Sequence, residues 1–155
     1  MNTPSSELRL LEQTSSLMGG PKTMGRRIHS RMDAHDVLGQ GIKAASLRHL
    51  VESFVVLHFD ASVEKAIGLS YRTYLRGKET PDRPLSVEQS GRAWKFAEIL
   101  TRTTAMLGSQ RDAEIWLERP ALGLDSRRPI DLMSTPAGLE LVETYLGRLE
   151  YGVYT

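Results

Sequence analysis

Cysteine is absent from this 155-residue chain. Its absence excludes a disulfide scaffold, a cysteine-based zinc site, an iron–sulfur cluster and a thiol nucleophile. No apolar run approaches the ~18 residues of a membrane span, and Met1–Gly20 lacks the basic-then-apolar plan of a signal peptide. Neither membrane insertion nor secretion is expected, and the location expected is the cytoplasm. Sustained period-two alternation is also missing, so strands are not expected, and there is no internal repeat. His29, His35, His49 and His58 share no metal-ligand spacing and read as solvated or packed side chains, so neither metal nor cofactor is expected. Asp33, His35 and Asp36 form an acid–base cluster on paper, but no serine or cysteine nucleophile motif accompanies them. Gly39-Gln40-Gly41-Ile42-Lys43 is too short for a phosphate-binding P-loop.

Strong net charge is lacking too, at +1 overall. It is unevenly spread: residues 41–110 carry ten basic and seven acidic side chains, residues 111–155 five and eight. A mildly basic middle and an acidic end hint at two surfaces with different partners. The length suits one domain, or one domain with an appendage, and a chain of this size buries roughly two-thirds of its unfolded surface without needing a metal or a cross-link.

What is present is helix punctuation. Asn2-Thr3-Pro4-Ser5-Ser6 and Met18-Gly19-Gly20-Pro21-Lys22 are turn chemistry. Residues 1–40 therefore read as an N-terminal arm, mobile or ordered by a partner; the alternative is a packed helix on Leu8, Leu11 and Leu17. From Ser46, a candidate cap, Leu47, Leu50, Val51 and Phe54 make one buried stripe. Asp60 caps a helix over 61–67 that ends at Gly68, and Ser70 caps the next, over 71–76. Ser86 and Gln89 form a capping box for a long helix to Leu107, carrying Trp94. Ser109 and Thr135-Pro136 start two further helices, with a proline-led turn at Pro129 between them. The fold expected is all-α.

Two short helices joined at Gly68 have the geometry of a helix-turn-helix. Ser70 leaves a helix N-terminus outward for a phosphate. Tyr71, Arg72 and Thr73 lie in the first turn, which reaches base edges in this motif. Arg72 suits a guanine, and Arg76 and Lys78 suit backbone phosphates. Helix–glycine–helix corners also occur in bundles that never meet DNA, and Glu64 stands where a small residue usually packs against the second helix.

The C-terminal third carries Ala113-Glu114-Ile115-Trp116-Leu117, Pro120-Ala121-Leu122-Gly123, Arg128-Pro129-Ile130-Asp131-Leu132, Thr135-Pro136-Ala137-Gly138 and Leu146-Gly147-Arg148-Leu149-Glu150-Tyr151-Gly152-Val153-Tyr154 in series. In these blocks the chain, from Val37 to Thr155, closely resembles the antitoxins of RES–Xre toxin–antitoxin modules. The family's Gly-Ile-Ser-X-Arg-Thr-Leu-X-Arg segment stands here as Gly68-Leu69-Ser70-Tyr71-Arg72-Thr73-Tyr74-Leu75-Arg76, with Tyr74 a departure from leucine.

The resemblance implies a helix-turn-helix domain over 41–108, binding double-stranded operator DNA as a repressor, and a small helical toxin-binding domain over 109–155. It also implies a RES-family NAD-consuming toxin as partner and no enzymatic activity in the chain itself. A homodimer is expected, because one short recognition helix contacts too few base pairs. Candidate toxin contacts are Trp116, Arg128, Asp131, Arg148, Glu150, Tyr151, Val153 and Tyr154. For Trp116 a core role, and for Arg128 and Asp131 a mutual hydrogen bond that fixes their turn, are competing readings. The runner-up function is a stand-alone regulator whose C-terminal helices dimerise or sense a ligand. Residues 1–36 lie outside the resemblance.

Overall fold

Hydroxyls and one carboxylate mark where the helices start. Ser30, Ser70, Ser86, Ser109 and Thr135 each accept a hydrogen bond from the backbone N–H three residues on, and Asp60 accepts from Ser62 and Val63. Each bond satisfies a donor that the first helical turn leaves without a partner. The computed structural model describes residues 4–152. These form α1 (Pro4–Leu17), α2 (Gly20–Met24), α3 (Arg31–Gln40), α4 (Ala44–Ser53), α5 (Ala61–Ile67), α6 (Tyr71–Glu79) and α7 (Val87–Leu107). There follow α8 (Gln110–Leu117), a 3₁₀ turn at Leu122–Leu124, α9 (Pro129–Leu132) and α10 (Pro136–Glu150). No strand occurs among the described residues, and no described helix is long and apolar enough to cross a membrane.

The long helix α7 is the axis. Ala93, Trp94, Phe96, Ala97, Ile99 and Leu100 are buried over more than half of its circumference, leaving a half-buried stripe of Gly91, Lys95, Glu98 and Arg102. Helices α1, α3, α5, α8 and α10 pack on it. Trp94 lies in the core.

Two expectations are corrected. Residues 4–40 are not a loose arm: α1 lies on α7, and Leu11, Met18, Met24 and Ile28 enter the main core. The turn chemistry at Met18-Gly19 joins two packed helices rather than forming a linker, Pro4-Ser5-Ser6 open α1, and Asn2 and Thr3 lie outside the described residues. Ser46 is not a cap. The helix begins earlier because Ala44 N–H and Ala45 N–H donate to Arg83 O at 2.8 Å and Pro81 O at 2.9 Å. Backbone carbonyls of the α6–α7 loop thus do the capping, and Ser46 is buried inside α4.

The boundary at residue 108 separates elements but not cores, since one apolar cluster runs from Leu11 to Leu146. Glu114 on α8 ties the two parts together. Its side chain is fully buried, and Oε1 accepts the backbone N–H groups of Val55, Val56 and Leu57 at 2.9, 2.8 and 2.8 Å. Oε2 accepts from Gln110 Nε2 at 2.8 Å, and that amide also donates to Ser53 O. The loop leading into α5 is therefore held by a carboxylate from α8.

Arg92 of α7 adds a second tie. Its guanidinium donates to the carbonyls of Lys65 and Ala66 at the end of α5, and to Ser134 O before α10. It lies across Gly68, whose φ is +76° and where a Cβ would strike the guanidinium. Glycine is required there twice, for backbone conformation and for space.

Two substitutions test this architecture by urea denaturation. Met18→Ala should cost about 2–5 kcal/mol, as in a filled core, whereas an arm outside the core would give almost nothing. Glu114→Ala should cost about 3 kcal/mol or more, since several buried donors lose their acceptor together.

Candidate functional site

Helix α6 is the candidate reading element. Its inner side is set by Tyr74, which is buried and stacks on Phe59 with ring centroids 5.0 Å apart. Tyr71 leans on the same ring at 5.6 Å. This aromatic cluster accounts for tyrosine where the resembling family carries leucine: the larger ring reaches Phe59, and burial raises its phenol pKa. Lys78 Nζ lies 5.2 Å from the Tyr74 ring centroid, a cation–π contact that leaves the ammonium at the surface.

The outer side of α6 carries Tyr71, Arg72, Leu75 and Arg76, at helical spacing on one face and all exposed. Among the described residues, no side chain holds either arginine. Leu75, at 41% exposed, was not among the sequence candidates. An apolar side chain one turn from Tyr71 suits a thymine methyl, and only the observed exposure distinguishes it from a core leucine.

The N-terminus of α6 departs from expectation. Ser70 Oγ accepts from Thr73 N at 3.1 Å, and the two hydroxyls lie 2.9 Å apart, so both side chains are occupied in closing the turn. Tyr71 N–H donates to Glu64 Oε2 at 3.0 Å. An anion from α5 already sits where a phosphate was expected. Glu64 is thus a built-in counter-charge, and the exposed cations of α6 are Arg72, Arg76 and Lys78.

The second candidate face belongs to residues 109–155. Trp116 is half-buried and stacks on Tyr145 of α10, centroids 6.2 Å apart and 12° from parallel. Gly123 also lies against Tyr145, where a Cβ would collide with the ring. Arg128 and Asp131 make a two-bonded pair, Nε to Oδ2 and Nη2 to Oδ1, both 2.8 Å. The Arg128 guanidinium holds the Asp131 carboxyl below the usual carboxylate range. Arg128 also donates to Ser62 Oγ at 2.7 Å, which fastens the α9 turn to the first turn of α5. Both residues are thus engaged within the chain, in keeping with the loop-fixing alternative.

Glu150 is not free to face a partner cation. Arg102 of α7 donates to its Oε1 at 2.6 Å and its Oε2 at 3.3 Å, so the end of α10 is pinned to the axis. Arg148 and Tyr151 are exposed, while Val153 and Tyr154 lie outside the described residues. Gly147, in the last turn of α10, has nothing among the described residues within 4 Å of where its Cβ would stand, so packing against them does not require it. Leu141 on this helix and Leu122 in the turn beside it are large exposed apolar residues that sequence reasoning passed over. Among the described residues no group of acidic or histidine side chains could hold a metal.

Residues 102–152 match the family model described as the antitoxin Xre/MbcA/ParS C-terminal toxin-binding domain. The chain is similar to a protein named antitoxin Xre from Yersinia enterocolitica serotype O:8, with 30% identity over 125 residues that cover 77% of this chain and 82% of that protein. It is 28% identical over 123 residues to an antitoxin Xre of Pseudomonas putida, covering 79% and 74% of the two chains. A third relative, named Prs ADP-ribosylating antitoxin, from Sphingobium sp., is 26% identical over 135 residues, covering 81% and 82%.

Glu64 offers a test of the basic helix. Glu64→Gln keeps an acceptor for Tyr71 N–H but removes the charge beside the outer face. Affinity for duplex DNA of any sequence should rise several-fold at low salt, and the gain should vanish at high salt as screening takes over. An unchanged titration would mean that DNA does not approach this helix end.

Proposed function

The chain belongs to the Xre antitoxins, and from that premise we propose that it silences a RES-family NAD-consuming toxin and, as a homodimer in the cytoplasm, represses its own operon by binding operator DNA. The observation that carries this is the presence of two outward faces on separate elements of one core: the basic face of α6, and the face around α10 within the segment that matches a toxin-binding domain. The protein acts by binding and not by catalysis. An NAD-consuming partner accords with the name of the Sphingobium relative, which speaks of ADP-ribosylation.

The DNA role is assigned by chemistry. Arg72, near the start of α6, is free to pair with a guanine edge, and Arg76 and Lys78 supply charge for phosphates on either side. Leu75 and Tyr71 add apolar contact between them. A dimer doubles the readout of a nine-residue helix.

The toxin role follows from the C-terminal segment. Trp116, Arg128 and Asp131 hold its shape, and Arg148 and Tyr151 are its exposed polar and aromatic groups. With Glu150 bound to Arg102, recognition by that carboxylate would require the ion pair to open, so the helix and turn surfaces are favoured over a charge-led tail.

Both roles are tested with point substitutions in the intact chain, because removal of residues 41–80 would strip the three backbone donors from Glu114 and take out about a third of the core. Arg72→Ala should cost ~1–3 kcal/mol at one base position of the operator, while Arg76→Ala should weaken all sequences alike and reduce the salt slope by about one. Co-purification with the product of the adjacent reading frame, together with rescue of growth, tests the toxin role. A chain that binds operator but never captures that product would instead be a stand-alone regulator.

A further inference from the structure

A leucine that stands 91% exposed, as Leu122 does, is ordinary when it is single and mobile. Leu122 is neither. It opens a turn closed on itself by backbone bonds, Ala121 N–H to Arg127 O at 3.1 Å, Leu124 N–H to Ala121 O at 2.9 Å and Ser126 N–H to Ala121 O at 2.9 Å. Leu124 is buried beneath it, and Gly123 is seated on the Tyr145 ring. Asp125 and Ser126 both take left-handed backbone conformations, φ 54° and 60°, which side-chain-bearing residues adopt reluctantly. The chain accepts this strain to keep the turn, and the turn's outward product is an apolar side chain in water.

The neighbouring helix complements it. Leu141 is 57% exposed and Tyr151 54%. Between the turn and α10 lies a groove of about 360 Å³, floored by Leu124 and Tyr145. Gly147, on the same side of α10 as Tyr151, leaves a gap on the flank of the helix, although glycine weakens a helix interior.

We infer that the turn at 121–127 and the adjoining face of α10 are the dock for the toxin, with Leu122 as a preformed anchor that enters an apolar pocket of the toxin and Gly147 admitting the toxin's backbone or a ring. This rests on the proposed toxin partnership and adds where and how the contact is made. A toxin is the occupant chosen because all of these residues fall within the segment matched as a toxin-binding domain, residues 102–152. The DNA-facing helix α6 is a separate element. An anchor already held in place loses little freedom on binding, which is what makes one side chain decisive.

The test uses the full-length chain and the purified product of the adjacent reading frame, with affinity measured by calorimetry and oligomeric state by light scattering. Leu122→Asp should leave helicity and melting unchanged, because the side chain packs on nothing, yet weaken binding by about 30-fold or more. Leu122→Met should restore it to within about threefold. Gly147→Leu should melt no lower than the parent and bind about tenfold more weakly, a combination that a purely structural glycine would not produce. Val87→Asp, at another exposed apolar site, the start of α7, should bind as the parent does. Parent-like affinity in both Leu122→Asp and Gly147→Leu would overturn the dock while leaving the antitoxin role standing. Loss of the homodimer with toxin affinity intact would overturn it in favour of a contact between copies. A parent chain with no affinity for the product would remove both the dock and the partnership beneath it.

Discussion

The carboxylate of Glu114 is the constraint on which the arrangement turns. A charge removed from water is costly unless it is paired or surrounded by hydrogen-bond donors. Here the donors are three successive backbone N–H groups of the α4–α5 loop and one side-chain amide. Those N–H groups are in no helix and would themselves be orphaned on burial. Carboxylate and loop therefore satisfy each other, and neither can adopt its place alone. The result is a rigid approach to α5, and through α5 to the exposed helix α6, enforced by a residue of the toxin-binding segment.

Arg92 and Arg128 act in the same direction. One guanidinium joins the end of α5 to the loop before α10; the other joins the start of α5 to the α9 turn. Helix α5 is thus gripped at both ends by groups that also contact the C-terminal elements. Two separate binding faces would ordinarily be carried by two units that move independently. This chain instead builds both candidate faces on a single apolar cluster, so a load on one is borne by the elements that support the other.

Helix limits were legible in the sequence because capping is local chemistry. Ser70, Ser86, Ser109 and Thr135 bond to backbone only three residues away, and Gly68 and Gly108 end helices through their own φ. The exposed cations of α6 and the Arg128–Asp131 pair follow from spacing along one helix or turn. Ser46 misled because its position before the leucine stripe looks like a cap, while the donors of that helix start are satisfied by carbonyls almost forty residues later. The N-terminal segment misled because Met18, Met24 and Ile28 carry no clear period of their own and are recruited only by the surface of α7.

The sequence by itself determined the helical class, most helix starts and stops, the family and the charge carried by α6, since each depends on interactions within a few residues or on motifs read in order. Tertiary structure alone decided that Glu64 fills the anion position at α6, that Glu150 is bound to Arg102, that Glu114 holds a loop across the core, and that Leu122 stands in water while Leu124 does not. Those outcomes join groups seven to fifty-nine residues apart, or depend on which side of a turn faces the protein. Charge and apolarity are written residue by residue; what satisfies them is settled only when the chain has closed on itself.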